Sequence, residues 1–518
     1  MRLILPTLLL SAGLSACIAQ PEPFTQADNE KRATLDLSAI GANSPLPSRP
    51  VTLAEAQARA ISYNLDTRLQ MFNSALQREQ LDLTKLDMLP NLTANAGYAG
   101  RDKALVSSSA SYRNGIVQPS NFETTSVDRD RVFADLTLSW NVIDFGLSYL
   151  QAKQQADRVN IADEQRRRVV NNVFQQVRNA YWVAVAAERV RPQLRAVLAE
   201  ARRAQSASRQ MEAEREQKPE QALRYQRDLL ELIQELEAVD DQLAIAKTQL
   251  AQLMGLRPGA PYKLAVPAAL PGLGRFGLSV EQMERVALVN RSELREEGYN
   301  ARIVRNEGHR ALLRLVPGVT LLGSLNYDSN SYLLFNNWQE GGVRVAANLL
   351  RIVTNYPKIS QLNEVQSEIS ETRRLATTMA VLAQVQVSAQ QYQIARKSYE
   401  RLNSISTINR RIAQLSRDGQ EAQTTSELDA IREKAASALT ELRRHRAYAD
   451  LQNAHAAINV SLGLDPVPAE AFGRDLGELT AQINRRNEEW RAGRIAVPRL
   501  DEVEQPAKPG TTTVANAL

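Results

Sequence analysis

The chain has 518 residues, 23% charged and only 5% aromatic, and 63 basic side chains against 58 acidic ones leave it at +5. A mixed-sign surface without a dense basic block argues against nucleic acid as a partner, and a composition rich in Ala, Gln, Arg, Glu and Leu points to long helices rather than a string of compact domains. A single cysteine, Cys17, excludes a disulfide within the chain.

Arg2, the apolar run Leu3–Leu10 and the small residues before Cys17 read as a signal peptide over residues 1–16, too short for a membrane span. Leu14-Ser15-Ala16-Cys17 resembles a bacterial lipobox. That resemblance implies cleavage before Cys17 and acylation of its thiol (palmitate) and new amine, and Ile18 in place of Asp implies sorting to the outer membrane. An ordinary signal peptide with an incidental cysteine is the alternative. Residues 17–51 carry Pro21, Pro23, Pro45, Pro47 and Pro50 and predict an extended, lipidated tether. Thr52-Leu53-Ala54-Glu55 is a capping box that opens a helix running to about Met88, and Pro90 ends it.

Strands follow. Val132, Ala134, Leu136, Leu138, Trp140 and Val142 alternate with Phe133, Asp135, Thr137, Ser139 and Asn141, and Leu92, Ala94, Ala96 and Tyr98 alternate in the same way. A second pair runs through Val319, Leu321, Gly323, Leu325 and Tyr327, then Val343, Val345, Ala347 and Leu349. The hairpins span about 91–142 and 319–350. Their loops, 100–130 and 328–340, are polar but carry Tyr112, Tyr332, Phe335 and Trp338. Strands of this length with one apolar face fit tilted membrane strands, which puts Val132, Leu136 and Trp140 toward lipid and Asp135, Ser139 and Asn141 away from it. A half-buried soluble hairpin is the competing reading. Four strands cannot close a barrel, so spanning strands require a ring of chains.

Two very long helices follow the strand pairs, Ser148–Met211 and Pro357–Leu415. Val170, Val173, Val177, Ala180, Ala184, Ala187, Leu194, Leu198 and Ala201 recur at spacings of three and four, interrupted only by Arg191. A second stripe, Val169, Val183, Val190 and Val197, runs beside the first and predicts neighbours on more than one side. At 1.5 Å per residue the first helix is about 95 Å long. Charged residues along it exclude a membrane span. Pro192 predicts a kink; Glu400 takes its place in the second helix.

The chain repeats itself. At a shift of 227, Ala60, Asp66, Arg68, Leu86 and Pro90 meet Ala287, Glu293, Arg295, Leu313 and Pro317; at a shift of 208, Met254-Gly255-Leu256 meets Leu462-Gly463-Leu464. The first repeat covers 52–257, a Pro-rich linker 258–278, and the second repeat 279–466. Residues 467–518 are expected to form a C-terminal equatorial segment and a disordered tail. Turns between paired helices fall near 212–218 and 416–425, with Lys218-Pro219 at one helix start and the capping box Ser426–Asp429 at the other.

The lipobox, tandem repeat, strand pair between helices and closing Leu253-Met-Gly-Leu256 and Ser461-Leu-Gly-Leu464 resemble the TolC-like outer-membrane factor family, in its efflux lipoprotein branch. The resemblance implies a mainly α fold with a membrane β-barrel: a trimeric, 12-stranded barrel continued by a long α-helical periplasmic barrel. It implies a passive export duct, coupled through a periplasmic adaptor (membrane-fusion) protein to an inner-membrane pump. Asn141-Val-Ile-Asp-Phe-Gly146 fits the family's strand-to-helix junction, whereas Asn348-Leu-Leu-Arg-Ile-Val353 departs from it. Gly419 fits the family's turn glycine; the first turn, Met211–Lys218, has none. The residues facing the adaptor would be Lys218, Pro219, Gly419 and Ser426. The family places its periplasmic gate in the second helix pair, where Leu415 and Asp418 stand three apart before the tight reversal that Gly419 permits. Arg410, Arg411 and Arg417 are near enough in sequence to offset a ring of Asp418 carboxylates.

His309, His445 and His455 have no metal spacing, and no nucleophile, phosphate-loop or zinc motif appears, so neither an enzyme nor a cofactor is expected. A lipid-anchored periplasmic coiled-coil spacer or holdase is the alternative to the duct, but a spacer has no use for alternating strands.

Overall fold

The computed structural model describes residues 22–42, 44–213, 219–273, 276–468, 473 and 475–498. Cys17 and Lys218 lie outside the described residues, as do the signal segment, the first helix-pair turn and the tail. The expected extended tether contains a helix, α1 (Gln26–Ala39), started by a reciprocal capping box between Thr25 and Asp28 and exposed along its length. The short-range cap decides the local structure there although prolines flank it.

The helix expected over 52–88 is two helices, α2 (Leu53–Tyr63) and α3 (Leu65–Leu86). Asn64 breaks them with an extended backbone (ψ 131°) and caps α3 by accepting from the Asp66 and Thr67 amides. The second half has the same break. Helices α6 (Val280–Asn290) and α7 (Ser292–Leu313) flank Arg291, also extended, whose guanidinium donates to the Val460 carbonyl.

Strand β1 (Asn91–Gly100) pairs antiparallel with β4 (Asp130–Asn141), which pairs with β5 (Gly318–Asp328), which pairs with β6 (Asn337–Ala346). The four form one open sheet in the order β1-β4-β5-β6. The loop expected over 100–130 holds a separate hairpin, β2 (Val106–Arg113) with β3 (Ile116–Thr125), turned at Asn114 and Gly115, both of positive φ. Its alternation is too polar to read as a strand pair, but an Asn-Gly turn is a hairpin signal.

The long helices are α4 (Val142–Ala213, 72 residues) and α8 (Leu349–Glu421, 73 residues), each about 110 Å at helical rise. Helix α4 runs through Pro192. Helix α8 starts eight residues before Pro357, so that proline is interior and not a start. Helices α5 (Pro219–Leu253) and α9 (Glu427–Ser461) follow them. Helix α4 lies between α3 and α7 above and between α5 and α9 below, and α8 touches α7 above and α9 below. The result is four columns side by side: α3 over α5, α4, α7 over α9, and α8. Of the seam read in α4, all but Ala180 is buried among these columns. Arg191, which interrupts the seam, bonds with Arg195 to Asp240 of α5. Helix α10 (Leu476–Arg491) packs on α2 at the waist, and the linker after Arg257 crosses the same region, held by Tyr181, Arg189 and Tyr448 on its carbonyls.

The columns meet at a backbone contact. Helix α5 closes with Leu256 N–H on Ala251 O and Gly255 N–H on Gln252 O, with Gly255 at φ 69°; α9 closes identically through Gly463 at φ 68°. These are Schellman closures, which need a left-handed residue. Each glycine also lies against a helix break. A Cβ on Gly255 would stand 2.5 Å from Tyr63 O, and one on Gly463 2.7 Å from Asn290 O. We expect Gly255→Ala and Gly463→Ala to cost more than the ~1–2 kcal/mol of a left-handed alanine. Gly259→Ala, also at positive φ but with open space around it, should cost only that penalty. Urea unfolding of the three variants gives the order directly.

Candidate functional site

Among the described residues, no cluster of three His, Cys, Asp or Glu is placed to hold a metal, and no helix is long and apolar enough to cross a membrane. What the fold builds is a set of surfaces. The registers put Leu92, Ala94, Ala96 and Tyr98 opposite Leu138, Leu136, Ala134 and Val132, and carry Leu136 and Trp140 on to Leu325 and Leu321, and Leu321 to Val343. Opposed residues share a face, so the alternation read strand by strand becomes one apolar band across all four strands. Leu92, Tyr98, Val132, Leu136, Leu138, Leu325 and Val343 in it are exposed. The opposite face carries Asn95, Asp135 and Thr137, with Asn95 Nδ2 and Thr137 Oγ1 both donating to Asp135.

Strand passes into helix almost without a linker. Asn141 Oδ1 accepts from the Ile143 and Asp144 amides, and Asn348 Oδ1 from the Arg351 amide. The two junctions, which differ in the residues after the asparagine, share this cap. Trp140 and Phe145 meet edge to face across the first, at 5.8 Å.

Both flanks of the molecule are unfinished. Strands β1 and β6 are the sheet edges, and the outermost columns beneath them are α3, which leads into β1, and α8, which follows β6. Leu65, Leu69, Phe72, Leu76, Leu83 and Leu86 of α3 are exposed at heptad spacing. On α8, Leu362, Val365 and Ile369 and, further down, Ile405, Ile408, Ile412 and Leu415 do the same. Exposed seams of this length are interaction surfaces. Sequence reading missed the α3 seam, although its spacing is as regular as that of α4; only burial distinguishes a filled seam from an open one.

The second helix-pair turn is resolved in detail. Helix α8 continues through Gly419 to Glu421, and the left-handed residue of the reversal is Gln423 (φ 57°), not Gly419. Thr424 N–H bonds Gly419 O and Gln423 N–H bonds Gln420 O, a Schellman closure again. Gly419 leaves room for this closure, since a Cβ there would lie 2.4 Å from Thr425 Oγ1. Ser426 caps α9 by accepting from the Asp429 amide. Leu415 and Asp418 are both exposed. Two of the three arginines expected to offset Asp418 bond elsewhere: Arg410 to Glu441, at 3.4 Å, and Arg411 to Gln414. Glu441 also accepts from Ser406 and Arg444 and faces His445 at 3.3 Å. Partial burial works against its charge, but the bonds from His445, Arg444 and Ser406 outweigh it and hold the carboxyl well below the usual range. Pro219 is the first residue of α5; with Lys218 outside the described residues, the first turn is not brought into relation with the second.

No protein-family profile matches the sequence, and no curated protein matches it. Solved structures do. The chain is similar to the Campylobacter jejuni CmeC outer membrane channel, at 12% identity and a TM-score of 0.62 over 90% of this chain and 98% of that one. It is similar to the open state of the Neisseria gonorrhoeae MtrE outer membrane channel, at 18% identity and 0.57 over 80% and 89%. The outer-membrane channel OprN aligns at 17% identity and 0.58 over 82% and 95%. The fold is that of the TolC-like outer-membrane channels.

The turn geometry sets an expectation. Gln423→Gly should raise stability by up to ~1 kcal/mol, because glycine takes a positive φ without strain. Gly419→Ala should lower stability by forcing Thr425 aside. Chemical denaturation of both variants checks the pair, and opposite signs are expected.

Proposed function

We propose that the chain is an outer-membrane export channel, a homotrimer of TolC-like outer-membrane factors in a tripartite efflux or secretion system. The observation that carries this is the match between the two unfinished flanks. An open sheet edge is not tolerated in lipid, and one chain has a β1 edge with an α3 seam on one side and a β6 edge with an α8 seam on the other. Head-to-tail contact of β6 and α8 on the next copy's β1 and α3 satisfies both at once. Three copies supply twelve strands and twelve helical columns. The apolar band then faces outer-membrane lipid and the Asp135 face lines a lumen that the columns extend into the periplasm.

As in the resemblance, energy would come from an inner-membrane pump through a periplasmic adaptor seated near Pro219, Gly419 and Ser426, and the channel itself would be no enzyme. Leu415 and Asp418 at the tunnel's inner end are the proposed gate, and acylation of Cys17 the proposed anchor. A coiled-coil spacer would leave the apolar band without a role.

Purified in mild detergent, the protein should run as a trimer and conduct in planar bilayers; a monodisperse monomer without conductance would overturn the reading. Leu136→Arg should cost about 2–4 kcal/mol near the bilayer midplane, and Thr137→Arg, on the lumen face, far less. Asp418→Ala should change the conductance of the closed channel. Separately, mass spectrometry of the mature N-terminus should find acyl chains on Cys17, and Cys17→Ser should remove them.

A further inference from the structure

At the waist, a positive charge is buried between α4, α9 and α10, with no counter-charge bonded to it among the described residues. Arg178 of α4 is 5% exposed. Its two terminal nitrogens donate to the Gln452 and Asn487 side-chain carbonyls, both neutral, and its Nε–H has no partner. The neighbouring charge is Arg491, of the same sign; burial first, and then Arg491, pushes the Arg178 guanidinium down to about 10. His455 beside them is driven down to about 3, by burial and then by Arg178 and Arg491, so it adds no charge. Among the described residues no carboxylate bonds to Arg178.

Beside Arg178 lies a cavity of about 10 Å³, lined on its polar side by Arg178, Asn171, Gln175 and Asn459 and on its apolar side by Phe174 and Trp490 among others. The two rings meet edge to face at 6.1 Å. Asn459 is 3% exposed, and neither its Nδ2 nor its Oδ1 has a partner. The space is about that of one water-sized occupant.

We propose that this cavity binds a single monatomic anion, chloride, held by the Arg178 Nε–H and the Asn459 amide. Burying a guanidinium among neutral groups is unfavourable unless an opposite charge accompanies it. Water would satisfy Asn459 but leave Arg178 uncompensated. The Asn459 amide bonds to nothing else and is free to turn its Nδ2 toward the ion. A space of about 10 Å³ favours a monatomic ion over phosphate or a carboxylate ligand. The ion would join α4 of the first half to α9 of the second beneath α10, and so stabilise the waist by mass action.

The test uses the full chain in detergent. Long-wavelength anomalous diffraction, which separates chloride from water, should give a peak between Arg178 and Asn459. The melting temperature should rise with chloride at constant ionic strength, with gluconate as the replacing anion. Asn459→Asp supplies a carboxylate in the ion's place. It should lose the peak and the chloride dependence, and melt above wild type in gluconate. Arg178→Met should lose both as well. Density without an anomalous signal, or a chloride dependence that persists in Asn459→Asp, would overturn the proposal and leave a water site only.

Discussion

The contact of Gly255 on the Tyr63 carbonyl, and of Gly463 on that of Asn290, fixes the height at which everything else is arranged. Each half must cover a rod of about 70 residues with two shorter helices. The pair can be stacked only if one ends where the other begins, and end-to-end stacking leaves two helix termini with unsatisfied backbone groups in one place. The solution is the same in both halves. A Schellman closure satisfies the lower helix, a single extended residue breaks the upper one, and a missing Cβ lets the two backbones touch. Helices α2 and α6 are thereby turned off the column, and with α10 and the linker they form a belt around the waist.

The polar side chains differ between halves where the backbone does not. Asn64 breaks and caps in the first half and Arg291 breaks in the second without a side-chain cap, its guanidinium reaching the Val460 carbonyl instead. The two halves also carry unlike chemistry at places that do not correspond in the repeat. The first half buries Arg178 among amides. The second builds a tight set of ion pairs on Glu441, nearer the turn. A chain with two copies of one scaffold can thus give one copy a binding task and the other a bracing task without altering a column length.

Much of this was legible in the residues. The seam of α4, the alternation of the strands, the N-caps at Thr52 and Ser426 (one-sided caps, without the return bond of the expected boxes) and the echo of Met254-Gly255-Leu256 in Leu462-Gly463-Leu464 each state a local geometry, and local geometry is what spacing encodes. The breaks at Asn64 and Arg291 were not legible, because neither residue is a helix breaker by itself; a tertiary backbone contact makes them so. The role given to Gly419 went to Gln423 for a related reason. Glycine usually marks the left-handed position, but here the nearby threonines need the space more than the turn needs the freedom. The α3 seam was visible as spacing and silent as to whether anything fills it. The site at Arg178 could not be read at all, since a lone arginine in a long helix looks like any solvated charge until three segments close over it.

The strand order β1-β4-β5-β6 also bears on how the proposed ring of chains would come together. A head-to-tail pair of copies still has one bare β1 edge and one bare β6 edge, as many as a single copy. Nothing is gained at the ends by adding a second chain; the raw edges vanish only when the last copy joins both neighbours in one step. Assembly by this route is therefore cooperative at the final addition, and partial rings keep the full exposed edge of the monomer. In the proposed ring, such intermediates would present a bare β-strand edge until closure.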